Sequence, residues 1–177
     1  SIAGSLANVG ERLQVQRQVL GYLRAVPDGE RAEAVVRLRE ALGVGPARAV
    51  PGLMLSWEEA REMSRCGIRF GSHTVSHPIL SRVERDRARR ELADSKSVIE
   101  DRLGMKVDGF AYPNGTQADY LPETKALLQD CGYRYAVTTA PGANDETTDR
   151  FELQRDTPWD DDLFAFGARL LYNKWQS

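Results

Sequence analysis

The sequence contains little of what would support several common kinds of protein. Two cysteines and two histidines occur in 177 residues, so neither a disulfide-rich scaffold nor a zinc finger built on repeated Cys and His pairs is predicted. The formal net charge is −2, which gives no electrostatic basis for binding nucleic acid or an anionic membrane. No apolar run approaches the roughly 20 residues that a membrane-spanning helix needs. Hydrophobic residues make up 41% and charged residues 28%, which is typical of a globular domain with a sizeable core.

The two cysteines each precede a glycine at the predicted end of a helix, in Cys66-Gly67 and Cys131-Gly132. We interpret both as small buried thiols, since neither has a zinc-type spacing, and the sequence neither requires nor excludes a disulfide between them. No signal peptide is visible, and the chain begins with Ser1 rather than Met, which suggests a processed, excised or truncated product.

The two histidines lie four residues apart in Gly71-Ser72-His73-Thr74-Val75-Ser76-His77-Pro78. This spacing would place both imidazoles on one side of a helical turn, where they can bind one metal ion. The alternative is that they serve as cap or packing groups. A short strand is predicted at 68–72, so His73 follows the strand's C-terminal end, where ligands gather in parallel α/β folds. Zinc would need at least one more protein ligand, and a carboxylate is expected.

The rest of the chain has a clear order of elements. A helical hairpin is predicted over residues 9–43 and a loop over 43–52. From residue 53 helices and strands alternate, which predicts a mainly parallel sheet with helices outside. About four strands are too few for a closed barrel, so either the sheet is open or strands that precede residue 1 are absent. The predicted helices are 57–66, 84–103, 122–131 and a last one capped by residues 160–162, and the predicted strands are 68–72, 109–112, 135–139 and 151–155.

A second loop, Phe110-Ala111-Tyr112-Pro113-Asn114-Gly115, follows a predicted strand. Its Pro-Asn-Gly turn presents backbone N–H groups that could stabilise an oxyanion, although alone it is an ordinary turn. Arg155 could hold a substrate oxygen or pair with neighbouring aspartates. Trp159 could stack on a sugar face or pack under the last helix. Asp119 and Tyr120 are further candidate cleft residues.

These motifs together resemble the polysaccharide deacetylases, the NodB-homology domain of carbohydrate esterase family four. The segment from His73 to Pro78 is similar to the family's metal-binding H-[ST]-x-x-H-P motif, and the segment from Phe110 to Gly115 is similar to its F-x-Y-P-x-G motif. The resemblance covers about residues 53–156. It implies a distorted (β/α) barrel of seven or so strands and metal-dependent hydrolysis of N-acetyl or O-acetyl groups on a polysaccharide. It also implies that His73 and His77 bind Zn²⁺ or another divalent metal and that the backbone N–H near Asn114 helps to form the oxyanion hole.

The departures from the family pattern are as informative as the match. The family's T-F-D-D-G motif, which supplies a catalytic base and a metal ligand, should precede His73, yet Asp28 is the only aspartate there. The late L-x-H motif is missing because no third histidine exists, and Ala111 replaces the arginine that opens the R-x-P-Y motif. The simplest account is that the chain starts inside the domain, without its first strands.

The sequence therefore predicts a single, N-terminally incomplete domain over 1–177 with four or five mainly parallel strands in a partial or distorted barrel. We expect an inactive or weakly active form of a metal-dependent deacetylase, with a catalytically dead glycan-binding or structural relative as the alternative. The expected partners are an acetylated polysaccharide or oligosaccharide and a second copy of the chain, bound through the sheet edge that missing strands would expose. The candidate residues are His73 and His77 for metal, Asn114 and Arg155 for catalysis, and Tyr112, Pro113 and Trp159 for substrate.

Overall fold

The structure is a computed structural model that describes residues 7–45, 52–156 and 162–175. The chain divides into two compact units, Ser1–Val50 and Pro51–Ser177. Within the described residues, no helix is both long and apolar enough to cross a membrane.

Two helices occupy the first unit, in the segment predicted as a helical hairpin. Helix α1 covers Val9–Ala25, and the Asn8 side chain caps it by accepting a hydrogen bond from the Glu11 N–H. Helix α2 covers Asp28–Ala41 and follows Pro27, whose fixed φ suits the start of a helix. No residue of α1 is buried. The hairpin therefore contributes no α1 side chain to a core.

The second unit contains four helices, and the predicted cap residues account for the start of the first and the end of the second. Helix α3 covers Trp57–Arg65 and begins with the predicted capping box, in which Ser56 and Glu59 exchange hydrogen bonds. Helix α4 covers Arg85–Leu103 and ends at Gly104, which adopts the left-handed conformation that a glycine allows. The other two helices are α5, Pro122–Asp130, and α6, Leu163–Trp175, and a short 3₁₀ turn covers Leu80–Arg82.

The sheet is parallel, short and open within the described residues. Strand β1, Gly109–Ala111, pairs with strand β2, Tyr135–Val137, with Phe110 opposite Ala136. Single parallel bridges extend this pair on both sides, from Ser72 to Phe110 and from Val137 to Leu153. Four chain segments thus run in parallel, as predicted, although only two of them form strands. A closed barrel is not formed by the described residues, and the barrel stays a prediction.

The predicted strands at 68–72 and 151–155 are wrong in extent, because turns use the backbone groups that a ladder would need. The Ile68 N–H donates to Met63 O and completes the end of α3. The Phe151 N–H donates to the Asp149 carboxylate and the Glu152 N–H donates to Asp149 O, which closes a tight turn. Each segment therefore retains only one bridging residue.

The hydrophobic core lies within the second unit, where α4 and α5 cover the sheet. Phe110 and Tyr112 from the β1 region pack edge to face, with ring centroids 5.4 Å apart. The Tyr133 hydroxyl donates to Leu92 O on α4, at 2.8 Å. This packing fixes the C-terminal ends of the parallel segments, where both candidate loops begin. The core cluster comprises Leu80, Ala88, Leu92, Val107, Phe110, Tyr112, Tyr120, Leu127, Leu128, Tyr133, Ala136 and Phe151.

Both cysteines are free thiols that follow helices. Cys66 is exposed, which contradicts the expectation of a buried thiol, and Cys131 is half-buried. Burial raises the pKa of the Cys131 thiol, so it stays protonated at neutral pH.

Candidate metal centre

The two histidines lie side by side on a loop, with ring centroids 4.8 Å apart and ring planes at 77°. The helical turn expected from their spacing is absent: residues 73–77 form an irregular loop that directly follows the bridging residue Ser72. Thr74 and His77 adopt left-handed backbone conformations, with φ of 67° and 56°. The loop thus brings the imidazoles together by another route, and both rings are exposed.

The ring of His73 is fixed by the neighbouring strand. Its Nδ1 lies 2.7 Å from the carbonyl oxygen of Ala111, at the end of β1. A carbonyl oxygen accepts and cannot donate, so Nδ1 carries the proton and, in the neutral ring, Nε2 keeps its lone pair. A histidine that binds metal through one nitrogen usually donates from the other in this way. The geometry of His73 therefore suits a metal ligand.

Hydroxyl groups hold the loop backbone rather than the imidazoles. Thr74 Oγ1 donates to His73 O at 2.5 Å and accepts from the His77 N–H at 3.1 Å. Ser72 Oγ lies 2.6 Å from Ser95 Oγ, which anchors the start of the loop to α4. The hydroxyls of Ser72 and Thr74 thus act as turn and anchoring groups.

Glu91 of α4 is a residue that sequence reasoning missed. Its carboxylate accepts hydrogen bonds from the N–H groups of Val75 and Ser76, at 2.8 and 2.9 Å, and from Ser76 Oγ at 2.5 Å. Burial alone would raise the pKa of this carboxyl, but the hydrogen bonds from Ser76 and Val75 outweigh burial and lower it. A signal was present in the sequence, because residue 91 has the helical spacing of the buried face formed by Ala88, Leu92 and Ser95.

The second loop presents a backbone donor. Asn114 is exposed and has φ of 60°, and its N–H donates to no acceptor within the described residues. The loop is braced by Thr139, two residues after the end of β2, which donates from its hydroxyl to Asn114 O at 3.0 Å and from its N–H to Gly115 O at 2.9 Å. An unpaired, braced N–H is the form that an oxyanion donor takes.

Tyr112 and Pro113 have buried side chains, so the structure does not present them to a ligand. Tyr112 is 1% exposed, donates from its hydroxyl to Phe151 O at 2.9 Å, and stacks on Tyr120 with ring centroids 4.0 Å apart. Burial raises the pKa of Tyr112 far above its ordinary range, which keeps the phenol protonated. A substrate contact at these two positions would have to use the backbone.

The remaining candidates that the structure describes make their hydrogen bonds with residues other than the histidines. Arg155 is exposed, and its N–H donates to Ala140 O. Asp119 caps its own turn by accepting from the Thr116 N–H and hydroxyl. Tyr120 is buried, and burial and its bond to Glu152 raise its pKa to about 12. Trp159, and Asp160 and Asp161 as partners for Arg155, lie outside the described residues.

The site fits part of a metal centre. Two imidazoles at this separation, one with its tautomer set by a carbonyl, match the nitrogen donors that zinc and similar divalent ions prefer. Within the described parts of the chain, however, no group of three or more His, Cys, Asp or Glu residues could hold a metal. The described residues thus offer two candidate ligands, whereas a zinc site needs at least three protein ligands.

Comparisons with known proteins identify the family. The polysaccharide deacetylase family model matches residues 23–136. The Bacillus subtilis (strain 168) protein YxkH, whose name classes it with the polysaccharide deacetylases, is 32% identical over 101 residues. Among solved structures, the Streptococcus pyogenes deacetylase PplD, in complex with acetate, gives a TM-score of 0.55 at 28% identity over 59% of this chain. IcaB from Ammonifex degensii gives a TM-score of 0.51 at 26% identity over 63% of this chain. The chain belongs to the polysaccharide deacetylase family.

The chain spans only part of these relatives. The alignment with YxkH includes 57% of this chain and 35% of YxkH. The chain matches 45% of the length of PplD and 52% of the length of IcaB. The likeness confirms the family prediction and a deacetylase-type fold with helices around a small parallel sheet.

Proposed function

We propose that the chain carries the histidine part of a divalent-metal site that serves the removal of N-acetyl or O-acetyl groups from a polysaccharide. The observation that carries this proposal is the pair of exposed imidazoles with centroids 4.8 Å apart, one of them tied through Nδ1 to Ala111 O. Family membership supplies the reaction class, hydrolysis of an acetyl group on a carbohydrate.

The roles of the residues follow from their donors and acceptors. His73 and His77 would hold the metal, with His73 binding through Nε2 because Nδ1 donates to Ala111 O. A bound divalent cation would act as a Lewis acid toward the acetyl carbonyl and would lower the pKa of water. The free N–H of Asn114 would donate to the carbonyl oxygen as negative charge develops on it, an interaction typically worth about 3–4 kcal/mol. A substrate role for Arg155 and Trp159 remains part of the proposal.

Metal titration tests the site directly. Because the chain has only these two histidines, tag-free protein can be titrated with Zn²⁺ or Co²⁺ in a calorimeter without competing imidazoles. We expect one binding event that His73→Ala or His77→Ala abolishes, whereas Ser81→Ala, outside the loop, leaves it unchanged. Unchanged stoichiometry in both histidine variants would eliminate the metal assignment.

Acetate release tests the reaction. We expect the metal-loaded protein to release acetate slowly from chito-oligosaccharides, because among the described residues no third His, Cys, Asp or Glu joins the pair. Release should stop when a chelator removes the metal. Activity that resists the chelator would contradict a metal mechanism.

A catalytically dead glycan-binding relative is the second candidate. The observation in its favour is that Asp28 is the only aspartate upstream of His73, so no Asp-Asp pair occurs where the family's T-F-D-D-G motif is expected. Binding of chito-oligosaccharide with no acetate release, at saturating metal, would favour this candidate over the enzyme.

A further inference from the structure

We infer that Glu91 is a positioning residue, which holds the histidine loop in the conformation that brings the two imidazoles together. This inference concerns a contact between α4 and the loop, and it rests on the proposed function only where metal affinity is concerned.

The loop conformation is one that its own residues disfavour. Thr74 and His77 have φ of 67° and 56°, in the left-handed region. Such a conformation is unfavourable for a residue with a side chain, most of all for a β-branched one such as threonine, and it persists only where the surroundings enforce it. The segment between the histidines therefore requires an external constraint.

Glu91 provides that constraint. Val75 and Ser76, midway between the histidines, direct both N–H groups at Glu91 Oε2, while Ser76 Oγ donates to Oε1. Hydrogen bonds to a charged acceptor are about twice as strong as neutral ones, and here they act on a carboxylate that is only 8% exposed. The carboxylate is held in turn on α4, one residue before the fully buried Leu92. Glu91 thus fixes the position of the loop relative to the hydrophobic core.

The rest of the loop's hydrogen bonding depends on the same turn. With Val75 and Ser76 held, Thr74 Oγ1 can accept from the His77 N–H and donate to His73 O, which links the two histidine backbones. His73 then meets Ala111 O through Nδ1. Removal of Glu91 should release Val75 and Ser76 first and the ring of His73 as a consequence.

Metal-free protein provides the decisive test. In Glu91→Ala we expect hydrogen exchange of the Val75 and Ser76 amides to accelerate at least tenfold, and the ¹⁵N spectrum of His73 to change from one Nδ1–H tautomer to a mixture. Glu91→Gln keeps one acceptor oxygen and should show an intermediate effect, a partial rescue that loss of side-chain volume alone would not produce. Asp94→Asn, the same carboxyl-to-amide change at an exposed position of α4, is the matched control and should behave as wild type.

The outcomes separate this inference from the proposed function. Wild-type exchange rates and an unchanged His73 tautomer in folded Glu91→Ala and Glu91→Gln would overturn the positioning role, whatever the metal does. If wild type binds metal, both Glu91 variants should lose affinity about 10- to 100-fold, and an unchanged affinity would also overturn it. If wild type binds no metal, the proposed function fails, and the metal-free readouts still decide the role of Glu91.

Discussion

The residues with a left-handed backbone mark the candidate site. Among the described residues, Thr74, His77 and Asn114 are the non-glycine residues with positive φ, and all three lie on the two loops that follow Ser72 and β1. Strained residues concentrate where a side chain or an N–H must be presented in a particular direction. The sequence motifs located these loops, but spacing alone suggested a helical turn for the histidines, because a left-handed threonine has no sequence signature.

Tyr112 shows how a residue within a motif can have a packing role. We expect Tyr112→Phe to lower the free energy of unfolding by about 1–2 kcal/mol, because it removes the donor to the buried Phe151 O. Metal affinity should not change. Tyr120→Phe is the control, since its hydroxyl donates to Glu152 in a partly solvated position and should contribute less.

Urea unfolding and metal titration of both variants check this prediction. If Tyr112→Phe retained full stability but bound chito-oligosaccharide more weakly, Tyr112 would be a substrate contact, as the sequence first indicated.

At the scale of elements, helix ends were predictable and strand ends were not. Ser56, Gly104 and Gly132 determine helix boundaries through local caps, and local chemistry can be read from sequence. The extent of a strand depends on which neighbour pairs with it, and at 151–155 the Asp149 turn takes the N–H groups instead. Glu91 was missed for the same reason: its partners, Val75 and Ser76, are distant in sequence, and a glutamate on a helix more often faces solvent.

Substitutions at two glycines distinguish the cost of a left-handed backbone from the cost of steric crowding. Gly104 and Gly115 have similar φ, 65° and 74°, but a Cβ at residue 104 would meet open space, whereas one at 115 would lie 3.0 Å from the Thr139 N atom. Gly104→Ala should therefore cost about 1–2 kcal/mol, the penalty of a left-handed alanine. Gly115→Ala should cost about 2–4 kcal/mol, since the backbone of Thr139 must also move.

Thermal or urea unfolding of the two glycine variants gives the comparison. Gly115→Ala should also reduce any acetate release, because it displaces the turn that presents the Asn114 N–H. Equal destabilisation of the two variants would show that the close approach to the Thr139 N atom adds no cost at residue 115.

At the scale of the whole molecule, the buried core and both candidate loops belong to the second unit. The core-cluster residues run from Leu80 to Phe151, and α1 has no buried residue. That the hairpin belongs to the same domain, and that the open sheet edge mediates association of two copies, both stay predictions.

The dependence of stability on pH is a property of the whole fold, and its sign follows from the shifted groups. The hydrogen bond and charge of Lys125 lower the pKa of Asp149 below its ordinary 3.8, and the bonds from Ser76 and Val75, against the effect of burial, lower that of Glu91 below 4.5. In the unfolded chain these groups bind protons at higher pH than in the folded chain. Their stabilisation is therefore complete above the unfolded values and is lost as pH falls through the folded ones. The raised pKa values of Lys125 and Tyr120 act in the opposite sense, with stability lost as pH rises above about 10.

We therefore expect a stability plateau from about pH 6 to pH 9, with a decline on the acid side that Asp149→Asn makes shallower. At pH 7 this variant should be about 0.5–1 kcal/mol less stable than wild type, because it loses a partly exposed ion pair with Lys125 at 2.8 Å. As pH falls through the lowered folded pKa of Asp149, the two curves should converge, since protonation removes the same interaction from wild type. Urea unfolding at several pH values measures the difference, with Asp94→Asn as the exposed control. A constant offset between Asp149→Asn and wild type at every pH would contradict an electrostatic origin and would assign the loss to packing at the Asp149 turn.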